Sequence, residues 1–263
     1  MKKTVVVFAS IFCTSLVFKA QAQLKRVAII SIYGNKTLGN SGGSASIGGG
    51  VSLGNLNNLM LSDSAYNLTG IVDKFANLIS VDLLKEFPFP FVPKDSVINN
   101  PGYKSLIDES KVFNRKSYEG SHPSVQVAPG YIPIAANGFI IDDTKAIKKS
   151  FDYLPSDVDG VMIAYLDFDL QNGGASAFGV STKKGFAAAN IKIFNREGKR
   201  IFKLKDSEKS KGSITTVMGM MTDTKKVIPL INEAADKLFD ELQKELPKSI
   251  NKLAKKIDAQ KED

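Results

Sequence analysis

The chain has 263 residues, a formal charge of +8 and 43% hydrophobic residues, the proportions of an ordinary globular protein. Its single cysteine and single histidine exclude a disulfide framework, a thiolate metal cluster and a usual zinc site. So modest a basic excess also argues against nucleic acid as the partner.

Lys2 and Lys3 precede an apolar run from Val5 to Phe18, and Ala20-Gln21-Ala22 sets small residues where a signal peptidase reads them. Residues 1–22 therefore read as a cleavable secretory signal. The exported chain then starts at Gln23 or Leu24, in the periplasm or outside the cell. The apolar run is shorter than the ~20 residues that span a bilayer, and Lys19 interrupts it. Cys13 follows the bulky Phe12 in mid-run, where a lipidation site would have a small residue, so no lipid is expected on it. Cleavage removes Lys2, Lys3 and Lys19, lowers the charge from +8 to +5 and leaves no thiol. Stability must then come from a packed core, which about 240 residues can supply.

Lys25 to Tyr33 is a nearly continuous apolar and β-branched run, as expected of a strand covered on both faces. Gly39, Gly42, Gly43, Gly48, Gly49, Gly50 and Gly54 then crowd a stretch, 39–54, with little side-chain surface to pack, which reads as a loop. Asp63 to Phe87 has helical spacing, with Leu68, Ile71, Val72, Phe75, Leu78 and Ile79 on one stripe, Ser62 or Asp63 as cap and Pro88 and Pro90 as stop. A short strand is expected within Phe89–Val97. Residues 99–138 are irregular, apart from one short helix within Tyr103–Ser110.

In the second half, Asp142 or Asp143 can cap a helix from Thr144 to Tyr153, with Ile147 and Phe151 on one face. Gly160 to Leu170 reads as a central strand that passes from continuous burial to alternation. Gly185–Asn195 and Arg200–Lys205 form an antiparallel hairpin around a turn closed by Gly198, and Lys205 to Gly212 is charged and exposed. A long helix from Asp223 or Thr224 to Leu246 carries Ile228, Ile231, Ala235, Leu238, Leu242 and Leu246 at intervals of three and four. Pro229 is harmless in its first turns and Pro247 is expected to break it. A basic tail, 247–263, follows.

The predicted fold class is α/β: a single domain over residues 23–246, with a mixed sheet flanked by helices, an antiparallel C-terminal hairpin and a long terminal helix. The alternative makes 99–138 a linker between two small domains. With Asp157-Val158-Asp159-Gly160-Val161-Met162-Ile163 entering the sheet and Ala189-Asn190-Ile191-Lys192-Ile193-Phe194-Asn195 leading to the Gly198 turn, the order of elements resembles an α/β envelope-protein group. That group includes the TolB N-terminal domain and the curli-secretion lipoprotein family. The resemblance implies roles in assembly and binding, and no catalytic residue carries over. The chain departs from the curli-type members in lacking a lipidation cysteine and in adding the glycine-rich insertion.

Three constellations carry candidate chemistry. Gly39-Asn40-Ser41-Gly42-Gly43 matches G-x-S-x-G, but glycine rather than a helix start follows Ser41, and the only possible base is His122 in a turn-like setting. Asp167 and Asp169 alternate on one strand and share a face, where two carboxylates can bind a small ligand or a hard cation. The same spacing also suits a half-exposed strand end. Lys248, Lys252, Lys255 and Lys256 give the tail a weak means of touching an anionic surface, though its apolar side is short. No phosphate-binding glycine motif, cofactor site or metal site is read from the sequence, and no catalytic residue is assigned.

These observations weigh against an enzyme. The leading expectation is an exported envelope or secreted protein that binds, or helps to assemble, an envelope protein or surface polymer. Gly39, Ser41, Gly43 and Gly50 mark the expected partner-binding loop, at the rim of the crevice where open α/β sheets place ligands. The alternatives are a small-ligand or cation binder at Asp167 and Asp169, and a serine hydrolase using Ser41.

Overall fold

The computed structural model describes residues 24–38, 67–113, 115, 119, 123–136, 143–217, 220–221 and 224–259. Its centre is one mixed sheet of seven strands: β1 (Val27–Leu38), β2 (Val125–Val127), β3 (Gly160–Ala177), β4 (Val180–Asn195), β5 (Arg200–Lys209), β6 (Ile214–Val217) and β7 (Met220–Met221). The order is β2-β1-β3-β4-β6-β7, with β5 paired to β4 as well. β1 and β3 run parallel, and the other pairings are antiparallel. The mixed α/β fold expected from the sequence is present, with the Gly160 strand central and the Gly198 hairpin at the outside.

The strands form where the sequence has too little polarity to remain in water. Val27 to Asn35 and Val161 to Leu170 are buried on both faces. The predicted half-exposed strand end is therefore absent: Asp167 and Asp169 are 5% and 0% exposed, and β3 continues beyond Leu170 to Ala177. Asn195 Oδ1 accepts from Lys199 N at 2.8 Å in the β4–β5 turn, and Gly198 takes a φ of +73° that most residues avoid.

Helix α1 (Thr69–Asn77) continues into a wider turn, Leu78–Leu83, and a tight one, Leu84–Glu86, and stops before Pro88. Leu68, Ile71, Val72, Phe75, Leu78 and Ile79 are all buried, as the stripe predicts. The proposed caps at 62 and 63 lie outside the described residues; Asn67 Oδ1 accepts from Thr69 N at 2.8 Å.

Several local expectations are corrected. Phe89–Val97 is not a strand: Phe91 makes one bridge to Val27, and after Pro93 the chain turns into α2 (Lys94–Ile98). Asp143 does not cap α3 (Thr144–Ser150). Its carboxylate is buried and accepts from Ser110 Oγ at 2.5 Å, Lys111 N at 2.8 Å and Ala135 N at 3.0 Å, so it fastens three segments instead of one helix end. Lys205 to Lys209 belongs to β5.

Helix α4 (Val227–Ala259) passes through Pro247. Proline removes one backbone hydrogen bond there, but Leu246 and Ile250 on either side are buried, so stopping the helix would expose both.

The irregular stretch is packed rather than linker-like. Tyr103, Leu106, Ile107, Phe113, Tyr131, Ile132 and Ile134 join the same core as the sheet. Its backbone is satisfied by side chains: Tyr103 Oη donates to Ile30 O at 2.7 Å and accepts from Ile132 N at 3.1 Å, while Ser31 Oγ donates to Ile132 O at 2.6 Å and accepts from Ile134 N at 3.1 Å.

Helix α4 closes the other side of the sheet at β4. A Cβ on Gly185 would lie 2.4 Å from Leu230 O and 2.5 Å from Leu230 C, so only glycine lets the strand and helix backbones meet. Gly185→Ala should lower the melting temperature by roughly 5–10 °C, reflecting about 2–3 kcal/mol of overpacking in a chain of this size. Gly70→Ala, whose methyl group meets nothing within 4 Å, should leave it unchanged or raise it. Thermal melts followed by circular dichroism read both, and an unchanged G185A melt would remove the clamp between α4 and β4.

Candidate functional sites: a buried carboxylate and an exposed β arm

Unbroken pairing with β4 keeps β3 alternating through Asn172, so Asp167 and Asp169 share a face with Tyr165 and Ile163. Both acids are buried in mid-strand. Asp167 Oδ1 accepts from Asn35 Nδ2 at 2.5 Å and Oδ2 from Asn190 Nδ2 at 3.2 Å, so amides from the strands on either side hold one oxygen each. Asp169 Oδ1 accepts from Leu170 N at 2.7 Å. Lys192, also buried, places its ammonium 5.4 Å from the centre of the Tyr165 ring. Tyr165 stacks on Tyr33 at 5.4 Å, and its hydroxyl donates to Ala136 O at 3.1 Å. Tyr33 Oη is buried and has no hydrogen-bond partner of ordinary geometry among the described residues.

Burial pushes the Asp167 carboxyl up to about 6, while the Asn35 amide, Lys205, Lys192 and the Asn190 amide each pull it down without cancelling the effect. Burial likewise raises the Tyr33 hydroxyl. The cluster can therefore take up a proton near neutrality. Among the described residues no three histidine, cysteine or acidic side chains come together as a cation site.

Gly39, Ser41, Gly43 and Gly50 lie outside the described residues, as does His122.

The second site was not anticipated from the sequence. Beyond Lys183, which is buried and pairs with the core residue Ile214, the β3–β4 pair leaves the core as an arm. Asn172 pairs with Lys183 and Ser176 with Ser181, so three residues of β3 oppose one of β4. Gly173 and Gly174 make this bulge possible: a Cβ on Gly173 would lie 2.6 Å from Thr182 Oγ1, and Gly174 has a φ of +101°. β6 adds a third strand through Thr182 and its neighbours, and β7 a fourth.

Ala177 and Val180 pair across a two-residue turn, Phe178-Gly179, whose φ values are +50° and +78°. Positive φ at both positions is the primed turn that hairpins favour, and Asn-Gly is its usual sequence. Phe178 is the only non-glycine described residue with positive φ, and its side chain is fully exposed. Val180 and Val217 are exposed beside it. The available sequence signal was a glycine in second place between two runs that fit strands, with an aromatic where a turn former belongs.

No family model and no curated protein matches the chain. Among solved structures, the crystal structure of lipoprotein GNA1162 from Neisseria meningitidis aligns over 82% of this chain and 99% of its own, at 10% identity and a TM-score of 0.26. So slight a likeness to a lipoprotein carries no argument about fold or activity. No helix among the described residues is long and apolar enough to cross a membrane.

The raised Asp167 carboxyl predicts a sign for the pH dependence of stability. Its folded value, about 6, lies above the ordinary 3.8, so the folded state binds more protons in that window and this group's contribution falls as pH rises through it. Going from pH 7.5 to pH 5 should stabilise the fold by about 1 kcal/mol through this group, or about 2–4 °C in melting temperature. Asp167→Asn should remove that increment. An identical pH slope in variant and wild type would show that Asp167 does not titrate in this range.

Proposed function

We propose that the chain is an exported, non-enzymatic protein of the cell envelope or the extracellular space that binds an envelope component, and that the β3–β4 arm is its binding element. The carrying observation is Phe178. A phenylalanine in solvent at positive φ gains no burial and bears backbone strain that asparagine or glycine would relieve. Its retention there makes sense when something outside the chain covers it.

The secretory pattern of residues 1–22 and the envelope-group resemblance support the compartment. The two amides on Asp167 give that carboxylate a role in holding β1, β3 and β4 together, which fits a scaffold that presents the arm.

A photoreactive diazirine side chain installed at position 178 in the producing cells tests the reading, because it captures protein, polymer and lipid alike. Position 81 provides the control, since Val81 is also exposed but lies on the turn after α1. Adducts should form from 178 and be at least about tenfold weaker from 81, the ratio expected of an anchor residue against an ordinary surface position. Equal yields, or none from 178, would remove the arm as a binding element.

A further inference from the structure

The arm carries no charge along most of its length. Residues 171–182, which contain the end of β3, the turn and the start of β4, have no acidic or basic side chain, and neither do residues 212–222, which contain β6 and β7. Its tip presents Phe178 with Val180 and Val217 exposed beside it. From Phe178 to Lys183 the strand covers roughly 17 Å, at about 3.3 Å per residue. That reach exceeds the depth of about 5–10 Å at which amphipathic elements rest in the interface of a bilayer.

The first charge-free stretch is bounded by Asp169 and Lys183 and the second by Lys211 and Asp223, with further lysines close by. Within β4, Lys184 is half-buried, while Lys183 is buried with its Nζ held by Asn172 Oδ1 at 2.5 Å and is not available to a surface. Lys209 pairs opposite Phe186, and Lys211 lies in the turn that follows, bonded through Ser210 N to Gly185 O at 2.9 Å. Lys225 and Lys226 stand in the turn that leads into α4, whose Leu230 backbone touches Gly185. Both are exposed, as are Lys209 and Lys211. The bases that reach solvent are Lys184, Lys209, Lys211, Lys225 and Lys226; the acids nearby are Glu208, Glu233, the buried Asp169 opposite Phe186, and Asp223 just ahead of Lys225 in sequence. Glu233 is already engaged, accepting from Lys211 N at 2.7 Å and Gly212 N at 3.1 Å.

An uncharged apolar tip above a collar of lysines matches the layering of an anionic bilayer, with acyl chains beneath negatively charged headgroups. A protein groove would have to receive a lone aromatic on a strained turn without any charge on the surrounding stretch to set its register. The lysine collar has no comparable use there.

We infer that the β3–β4 arm docks on an anionic lipid surface, with Phe178 and its neighbours entering the headgroup–acyl boundary and the lysines contacting phosphates. This rests on the reading of the arm as the binding element and names its partner.

The exported protein is mixed with vesicles of phosphatidylethanolamine and phosphatidylglycerol, and separately with pure phosphatidylcholine vesicles, and bound protein is measured by co-sedimentation. Binding to the anionic vesicles should be at least about tenfold tighter, and salt at about 0.5 M should erase most of the difference. Phe178→Asn should reduce anionic-vesicle binding by about tenfold or more, the share of one large apolar side chain. The same variant should melt at or above the wild-type temperature, because Asn-Gly suits the turn better. Lost binding with retained folding therefore cannot be ascribed to a damaged protein.

Wild-type binding that ignores lipid charge, or survives Phe178→Asn unchanged, would overturn the inference. If wild type fails to bind vesicles while position 178 captures a protein in cells, the lipid partner is wrong and the arm remains a protein-binding element. If position 178 captures nothing, both readings fall.

Discussion

β3 is hydrogen-bonded along both edges and covered on both faces through its first eleven residues, and a carboxylate sits within that buried stretch. Its placement depends on Asp167. Strand β1 supplies Asn35 to one oxygen and β4 supplies Asn190 to the other, so the acid acts as a cross-strand fastener for the parallel and the antiparallel halves of the sheet. A buried carboxylate is costly unless it is hydrogen-bonded, and each amide offsets part of that cost only when its strand is in register. The interaction therefore contributes to register as well as to stability. Burial, only partly offset by the two amides, holds the Asp167 carboxyl near 6.

The same strand pair serves two environments. From Gly160 to Leu170 β3 is buried on both faces; from Gly173 to Thr182 the ribbon is uncharged, and where its exposure is described it is exposed or half-buried. The double-glycine bulge lies between the two regimes, and a bulge of this kind bends its strand and increases its twist. Gly185 lies just inside the same boundary on β4, where α4 comes closest. A rigid root and a projecting tip on one continuous ribbon allow the tip to be positioned without a separate domain or hinge.

Elements built on periodicity were legible in the sequence. The stripe from Leu68 to Ile79, the runs at Val27 and Val161, and the Gly198 hairpin announce themselves because burial and spacing coincide. The stretch 99–138 was opaque for a physical reason: its backbone is satisfied by Tyr103, Ser31 and Asp143, side-chain bonds that leave no period. Asp143 was misread as a cap because a helix does begin at the next residue, while its carboxylate is drawn inward by Ser110, Lys111 and Ala135. At Pro247 the local rule for proline gave way to the burial of Ile250. Asp167 and Asp169 were correctly placed on one face, yet their depth could not be read, since alternation at a wet strand end and a buried Asp-Phe-Asp look identical until the covering segments are known. The arm was missed for the opposite reason. Small, uncharged residues such as Gly173, Gly174, Ala175 and Ser176 give weak strand signals, and Phe178 looks like core until it is seen on a turn.

The central claim is that one β3–β4 ribbon joins a buried, fastened root to an exposed binding arm. Hydrogen–deuterium exchange on the protein, with and without added envelope membranes, tests it most directly. The amides of 161–170 and 186–194 should exchange among the slowest in the chain, and those of 173–182 at least about tenfold faster, as expected of strands with little burial. Membranes should then slow 173–182 while leaving the root unchanged. Uniformly slow exchange along the whole ribbon, or an arm whose exchange ignores the membranes, would contradict the account.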